Sequence, residues 1–271
     1  MKSKKIILNS QKNVFLMTYI HQEYTQKWDG VGEWIPPSRP AIILFPGGGY
    51  RYCSEREEEP VAFPFLAAGY QVFFLNYRTG TDISASGLLE DAALALWTVR
   101  KNAPLWNIDP EKIAVCGFSA GGNLAAMLST QWYRFNLEDR LSIPINGSKP
   151  NATILCYALT EMDTYIKNQP SNKATLNMFP EMNVVNYISE KTPPAFIWTT
   201  YKDEKVDIKN SLDYAEKCLE FKVPFELHIF ENGQHGLSLN TDLTAYKQKH
   251  PINVDQWVPM CINWLNELFK F

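Results

Sequence analysis

The sequence predicts an α/β fold, in which a mainly parallel central sheet carries helices on both faces. Short apolar segments of strand-like composition alternate along the chain with helix-forming segments, as is typical of a parallel sheet. The chain has 271 residues, of which 45% are hydrophobic, so it can bury a large core. No Gly- and Ser-rich linker, low-complexity tract or internal repeat divides it. We therefore expect a single domain over residues 1–271, although two small domains would also fit the length.

The predicted parallel strands are short apolar runs: Ala41–Phe45, Gln71–Leu75, Ile113–Cys116, Thr153–Tyr157, Ala195–Thr199 and Phe225–Phe230. The predicted helices show apolar residues at helical spacing: Pro60–Ala68, Leu88–Asn102, Asn123–Trp132, Ser211–Phe221 and Val254–Phe269. Two edge strands, Lys5–Leu8 and Val14–Tyr19, are expected to pack antiparallel onto this sheet. Asn107–Pro110 is predicted to form a turn between the second helix and the third parallel strand.

Two polar segments, 133–150 and 159–192, are longer than the usual connections of an α/β fold. Both follow elements that we expect to end at the edge of the sheet where the parallel strands have their carboxyl ends, the edge at which α/β folds bind their ligands. This placement favours a small cap over that edge. Surface insertions without any gating role explain the two segments equally well.

The charge balance gives no indication of a nucleic-acid or membrane partner. The chain has 26 basic and 29 acidic residues, a net charge of −3, and its one long run of a single sign is Glu57–Glu59. A small neutral or mixed substrate fits this composition better. The five cysteines are odd in number, scattered, and without C-x-x-C spacing, which argues against a disulfide framework and a zinc site.

The N-terminal residues Met1–Lys5 are basic, as at the start of a signal peptide. The apolar stretch that follows, Ile6–Leu8, is too short for export or membrane insertion. We therefore expect a cytoplasmic protein. Asn146 and Asn151 match the glycosylation pattern, but without a secretory route we interpret them as ordinary loop residues.

Ser119 is the candidate nucleophile. It lies in the pattern G-x-S-x-G between Gly117 and Gly121, after the apolar run Ile113–Cys116 and before a helix-forming segment. A serine on such a strand-to-helix turn stands clear of the backbone, and the flanking glycines are needed because side chains there would collide. The five-residue pattern is weak by itself, so the prediction depends on this context.

A serine hydroxyl needs a base that takes its proton. Of the four histidines, His235 lies in the polar, glycine-rich loop Glu231–Gly236, directly after the last predicted strand. Side chains at this position project over the ends of a parallel sheet, which favours His235 as the base. His21, in the N-terminal segment, His228, inside a strand, and His250, in a late polar loop, are interpreted as structural or exposed residues.

The imidazole in turn needs a carboxylate that fixes its tautomer. Asp203 follows the strand Ala195–Thr199 and gives the chain order serine, acid, histidine. Glu204 and Asp207 are competitors, and either could instead cap the following helix or solvate the loop.

The glycines Gly47, Gly48 and Gly49 follow the strand Ala41–Phe45 and suit an oxyanion hole, because glycine lets backbone amides turn toward a substrate. We assign the donor amides to Gly48 and Gly49, with Ala120 contributing from the turn after Ser119. A phosphate-binding loop is the weaker alternative, since the spaced glycines and the lysine of such loops are missing.

Together these motifs resemble the α/β-hydrolase carboxylesterases related to bacterial acetylxylan esterases. The matching segments are Pro46–Tyr50, Arg56–Pro60, Leu75–Arg78, Gly117–Gly122, Tyr201–Asp203 and His235–Gly236. The resemblance covers the chain from about Ala41 to the last helix. It implies the α/β-hydrolase fold, no metal or organic cofactor, and hydrolysis of short acyl esters. Many relatives begin the glycine loop with histidine where this chain has Pro46, which argues against the hormone-sensitive-lipase-like branch.

We therefore expect a serine esterase that acts on a small-molecule ester with a short acyl group, acetyl above all, with acetylated sugars or xylo-oligosaccharides among the substrates. Tyr50, Arg51 and Arg56 follow the glycine loop and are candidates for substrate contact, although packing and solvated charge explain such residues as well. Two alternatives remain: a serine peptidase on the same fold, and a noncatalytic binding protein.

Overall fold

A computed structural model describes residues 1–22, 26–28, 32–34, 36–81, 83–162, 179–244 and 253–271. For residues 26–28 and 32–34 it describes the backbone alone. His250, which is predicted to lie in a late polar loop, and the middle of the predicted insertion 159–192 are outside the described residues.

Eight strands form the central sheet: Lys2–Asn9 (β1), Val14–Ile20 (β2), Arg39–Phe45 (β5), Gln71–Asn76 (β6), Ile108–Phe118 (β7), Ala152–Cys156 (β8), Ala195–Thr200 (β9) and Phe225–Phe230 (β10). A separate hairpin consists of Gln26–Trp28 (β3) and Gly32–Trp34 (β4). The order in the sheet is β1-β2-β6-β5-β7-β8-β9-β10. The pairs β1–β2 and β2–β6 are antiparallel, and all other neighbours are parallel.

The helices are Glu59–Ala67 (α1), Ala85–Lys101 (α2), Ala120–Gln131 (α3), Leu137–Leu141 (α4), Lys209–Glu220 (α5) and Trp257–Phe269 (α6). Because strand side chains alternate between the two faces, Ile43 and Phe45 join the core under α2, α3 and α5, whereas Ile42 and Leu44 join the core under α1 and α6. The predicted α/β architecture, a mainly parallel sheet with helices on both faces, is confirmed. Within the described residues, no helix combines the length and the apolar character needed to cross a membrane.

The turn predicted at Asn107–Pro110 was wrong in its extent. The preceding helix ends at Lys101, and Ile108 already pairs with Arg39 as part of β7. The next pair in register joins Ile113 with Ala41, so the residues around Pro110 form an irregularity in the strand. Proline is tolerated there because a bulged residue need not donate to the ladder. The hairpin of β3 and β4 was missed because three-residue strands are too short to show an alternating pattern.

The segment 133–150 cannot cap the site, which corrects one half of the cap prediction. It joins the end of α3 to the start of β8, at the edge of the sheet where parallel strands begin. The Arg100 guanidinium, at the end of α2, binds Gly147 and Asn151 there, and the Asn151 amide donates to Ile113 O. Ser119 follows the other end of β7. Since α3 runs back from Ser119 along the sheet, the segment between α3 and β8 lies at the opposite edge of the sheet from Ser119.

The second insertion, 159–192, begins beside Ser119. The Leu159 amide donates to the Ser119 carbonyl at 3.2 Å. The Asn123 side-chain amide donates to Leu159 O and Met182 O, both at 2.7 Å, so the two described ends of the segment meet behind Ser119. A capping role for this segment stays a prediction.

Candidate active site

Ser119 lies on a strained turn between β7 and α3. Its φ of 52° and ψ of −115° are unusual for a residue with a side chain. A Cβ atom on Gly117 would lie 2.2 Å from Gly121 O, and one on Gly121 would lie 2.0 Å from Phe45 O. Both positions therefore require glycine. This is the strand-to-helix turn that the sequence pattern predicts, with the strained backbone conformation at Ser119 itself.

The structure brings Ser119, His235 and Asp203 together from three separate loops. Ser119 Oγ lies 2.7 Å from His235 Nε2, and His235 Nδ1 lies 2.7 Å from Asp203 Oδ2. Because a carboxylate only accepts hydrogen bonds, Nδ1 carries the imidazole proton and Nε2 is left to accept the serine proton. The three groups are thus ordered for proton transfer from the hydroxyl to the ring.

Asp203 is held as a fixed acceptor. Its side chain is 0% exposed, and its second oxygen, Oδ1, accepts from the amides of Lys205 and Val206 at 2.9 Å each. The two alternatives in the same loop lie elsewhere: Glu204 is exposed, and Asp207 accepts from the amide of Lys209, the first residue of α5. Among the contacts of the described residues, the imidazole of His235 binds Asp203 and neither Glu204 nor Asp207.

The other described histidines are away from this arrangement. His21 lies just after β2, where its backbone amide donates to Gln71, and burial lowers the pKa of its ring. His228 lies in β10, packed on Phe196 with ring centroids 4.9 Å apart, and burial lowers its pKa as well.

The histidine loop, Glu231–Ser238, is supported from below. The Tyr157 ring packs edge-on against His235, with centroids 5.1 Å apart and planes at 72°. The Thr200 hydroxyl donates to Gly233 O at 2.7 Å. The ring that would receive the serine proton is therefore fixed by packing as well as by Asp203.

The oxyanion loop, Pro46–Tyr50, passes beside Ser119. A Cβ atom on Gly47 would lie 3.3 Å from Ser119 Cβ. Gly48 has a φ of +128°, and a Cβ atom there would lie 2.0 Å from Tyr52 O, so the loop conformation depends on glycine. Ala120 is the first residue of α3, and the amide of a first helical residue has no acceptor inside its helix. Gly47 therefore lies beside the serine and Ala120 directly follows it. That Gly48, Gly49 and Ala120 donate to the oxyanion stays a prediction.

Three further residues of this region escaped the sequence analysis: Glu57, Asn123 and Tyr157. Asn123 Oδ1 accepts from the Tyr50 hydroxyl at 2.7 Å, which ties the oxyanion loop to α3. Glu57 is buried and accepts from the Gly47 amide and the Tyr157 hydroxyl. The signal at Glu57 was hidden in an acidic run that is typical of a solvated surface, and nothing local distinguishes the other two.

The candidates for substrate contact differ in what already surrounds them. Tyr50 is buried and its hydroxyl is bound to Asn123, while Arg56 donates to the carbonyls of Gly236 and Thr244. Arg51 is exposed. Substrate contact by these residues stays a prediction. In the described part of the chain, no cluster of three or more His, Cys, Asp or Glu residues is arranged to bind a metal ion.

Comparison with known protein families matches residues 36–218 to the family described as BD-FAE. An acetylxylan esterase from Xylanibacter ruminicola is 29% identical over 247 residues, which cover 86% of this chain and 46% of the relative. An endo-1,4-beta-xylanase B from Butyrivibrio fibrisolvens is 32% identical over 213 residues, covering 75% of this chain and 33% of the relative. The chain therefore spans less than half the length of either of these relatives.

Two solved structures match over nearly the full length of both chains. A sugar hydrolase from Lactococcus lactis is 35% identical, with a TM-score of 0.81 and coverage of 99% of each chain. An acetyl ester-xyloside bifunctional hydrolase from Caldicellulosiruptor lactoaceticus is 30% identical, with a TM-score of 0.78 and coverage of 99% of this chain and 96% of that one. The resemblance stated from the sequence motifs and the α/β-hydrolase fold are confirmed by these matches.

Proposed function

The chain belongs to the BD-FAE family, and from this membership and its site we propose that it is a serine esterase of short-chain carboxylic esters. Ser119 is the nucleophile, His235 the general base and acid, and Asp203 the orienting carboxylate. The observation that carries the proposal is the continuous contact from serine through imidazole to carboxylate, with both heavy-atom distances at 2.7 Å.

In the first step the ester carbonyl lies beside Ser119. His235 Nε2 takes the serine proton as Oγ attacks the carbonyl carbon, and the imidazolium that forms is stabilised by buried Asp203. The amides of Gly48, Gly49 and Ala120 donate to the oxyanion of the tetrahedral intermediate. When the intermediate collapses, Nε2–H protonates the departing alcohol, and the acyl group stays on Ser119.

In the second step water takes the place of the alcohol. His235 Nε2 accepts a proton from the water as its oxygen attacks the acyl carbon, and the same oxyanion donors stabilise the second tetrahedral intermediate. The collapse returns the proton to Ser119 Oγ and releases the carboxylic acid. The protein ends the cycle in its starting protonation state.

We propose acetyl as the acyl group and an acetylated sugar or xylo-oligosaccharide as the substrate. The support is the named activity of two relatives, the acetylxylan esterase and the acetyl ester-xyloside hydrolase. A panel of acetylated xylo-oligosaccharides and simple aryl and alkyl acetates tests it. Turnover of the aryl esters alone would remove the sugar from the proposal and leave the esterase.

The reaction itself is tested with p-nitrophenyl acetate and the variant Ser119→Ala. We expect kcat to fall about 10⁶-fold, as in the loss of the nucleophile of a serine protease. The control is Ser142→Ala, an exposed serine at the opposite edge of the sheet, which should keep full activity. A fluorophosphonate probe should label the wild type at Ser119 and leave Ser119→Ala unlabelled.

Each contrary outcome points to one alternative. Equal turnover by wild type and Ser119→Ala would refute the serine mechanism. Hydrolysis of peptide amides without esters would indicate a peptidase, and a wild type that neither turns over nor reacts with the probe would indicate a binding protein.

A further inference from the structure

We infer that Glu57 is a positioning residue of this site, whose buried carboxylate fixes the oxyanion loop through Gly47 and the histidine loop through Tyr157. The inference rests on the proposed esterase function, since it assigns Glu57 a part in the same reaction. Glu57 touches none of the reacting atoms, so its action is through the groups that it holds.

The contacts of Glu57 are few and direct. Glu57 is 2% exposed. Its Oε2 atom accepts from the Gly47 amide at 2.7 Å, and its Oε1 atom accepts from the Tyr157 hydroxyl at 2.5 Å. Burying a carboxylate in contact with neutral donors is unfavourable compared with an apolar side chain of similar size. The presence of a carboxylate at this position is therefore better explained by the two donors that its oxygens bind than by a gain in stability.

On one side Glu57 fixes the first peptide group of the oxyanion loop. That group is the one between Pro46 and Gly47: its carbonyl oxygen accepts from the Tyr77 hydroxyl at 2.6 Å, and its N–H donates to Glu57. A peptide group is planar, so the two opposed hydrogen bonds set its orientation. The next peptide group carries the amide of Gly48, a proposed oxyanion donor, and its carbonyl, Gly47 O, accepts from the Ser54 amide at 3.0 Å. With both peptide groups held, the direction of the Gly48 N–H is set.

On the other side Glu57 fixes Tyr157, which supports the base. The Tyr157 hydroxyl donates to Glu57 and accepts from the amide of Ser238 at 3.0 Å. Ser238 lies three residues after His235 in the histidine loop. The Tyr157 ring packs against the His235 ring. The backbone at Tyr157 has a φ of 39°, a strained value that its surroundings must maintain. Glu57 therefore links the oxyanion loop to the histidine loop through Tyr157.

The donors around Glu57 match an ionised carboxylate. Burial raises the pKa of Glu57, whereas the hydrogen bonds from Tyr157 and Gly47 oppose that rise. The hydroxyl of Tyr157 has one proton, and with the carboxylate ionised that proton and the Gly47 N–H both have an acceptor. The two donors bind different oxygens of Glu57. In glutamine an NH2 group replaces one of these oxygens, so one of the two donors would face another donor instead of an acceptor.

The test compares wild type, Glu57→Gln and Tyr157→Phe with p-nitrophenyl acetate. We expect Glu57→Gln to lower kcat about 10- to 100-fold, below the ~10²- to 10³-fold loss on removing an oxyanion donor itself, with KM changed much less. Tyr157→Phe should lower kcat about tenfold. Because the two residues act through one contact, the double variant should lose less than the product of the single losses.

Matched controls separate positioning from stability. Asp91→Asn removes another buried carboxylate, bound to Arg78 at 2.8 Å, and Tyr70→Phe removes another buried hydroxyl, bound to Asn266 at 2.7 Å. Both should lower Tm and leave kcat within twofold of the wild type at temperatures well below Tm.

The outcomes are distinguishable. A folded Glu57→Gln whose kcat stays within twofold of the wild type, with only a lower Tm, would overturn the inference. If Glu57→Gln does not fold, an unchanged kcat of Tyr157→Phe would overturn it in the same way. A wild type without turnover and without fluorophosphonate labelling would overturn the proposed function, and this inference with it.

Discussion

The site has two halves that are built in opposite ways. In the acid–base half, side chains carry the proposed chemistry and the backbone holds them, as the amides of Lys205 and Val206 hold Asp203. In the oxyanion half, backbone amides carry it and side chains hold the backbone, as Glu57 holds Gly47 and Asn123 holds Tyr50. Some residues would therefore take part in the reaction, and others hold the backbone in position. Substitutions of the first kind should reduce activity more than substitutions of the second kind.

The acid–base half should give the largest losses, because a substitution there removes a reacting or orienting group. Asp203→Asn keeps an oxygen for the amides of Lys205 and Val206, but its NH2 group donates to His235 Nδ1 and selects the wrong imidazole tautomer. We expect kcat for p-nitrophenyl acetate to fall about 10⁴-fold, as in the equivalent change of a serine protease.

The matched control for Asp203→Asn is Asp207→Asn in the same loop. Asp207 binds the amide of Lys209 and has no described contact with the imidazole, so this variant should lose a little stability and no activity. Similar losses of kcat in both variants would show that Asp203 affects the rate by maintaining the loop conformation. The two halves of the site would then not differ as described above.

The acid–base half could be predicted from the sequence. Ser119, Asp203 and His235 each follow an apolar run that ends in a polar, glycine-rich or tight turn, and the carboxyl ends of parallel strands meet at one edge of a sheet. Their residue types are also the ones that serine chemistry requires. Strand order, local turn composition and side-chain chemistry were therefore enough to select the three residues that the structure brings together.

The side chains that support the two loops, Glu57 and Tyr157, could not be predicted in this way. Glu57 and Tyr157 are 100 residues apart and meet only when β8 lies beside β7. Burial distinguishes Glu57 from Glu58 and Glu59, and burial depends on tertiary packing. The predicted location of the segment 133–150 was wrong for a related reason. Its location depends on the direction in which α3 runs across the sheet, and that direction is a property of the tertiary structure.

The oxyanion half should respond to a collision in its backbone. A Cβ atom at Gly48 would lie 2.0 Å from Tyr52 O, and its φ of +128° is unfavourable for any residue with a side chain. Gly48→Ala must therefore move the loop. We expect kcat to fall about 10²- to 10³-fold, the loss typical of one oxyanion donor.

Gly80→Ala is the control for backbone strain without a collision. Gly80 has a φ of +103°, and a Cβ atom there would have no atom within 4 Å. The Gly80 amide donates to Tyr50 O at 2.8 Å, so this control places strain beside the same loop without a collision. It should lower Tm and change kcat much less than Gly48→Ala does. If the two variants lose kcat equally, strain alone explains the effect and the oxyanion loop does not depend on the space beside Tyr52.

The smallest expected effect is electrostatic and concerns the acidic run that contains Glu57. Burial, followed by repulsion from Glu55 and Glu57, raises the pKa of Glu58 from 4.5 to about 7. A folded-state pKa above the unfolded one means that the ionised form opposes folding. This destabilisation is absent below pH 4.5, grows as the pH rises and is complete above about pH 7.

Glu58→Gln removes that charge and should therefore raise Tm by about 2 °C at pH 8, with the gain disappearing toward pH 5. Thermal unfolding of both proteins at pH 5, 6, 7 and 8 measures it, and kcat should not change, because Glu58 has no described contact with the oxyanion loop or the imidazole. The opposite result, a Tm gain that grows toward acid pH, would mean that Glu58 stabilises the fold as a charge. The two neighbouring carboxylates would then differ: the charge on Glu58 would stabilise the fold, whereas burial of the charge on Glu57 opposes folding.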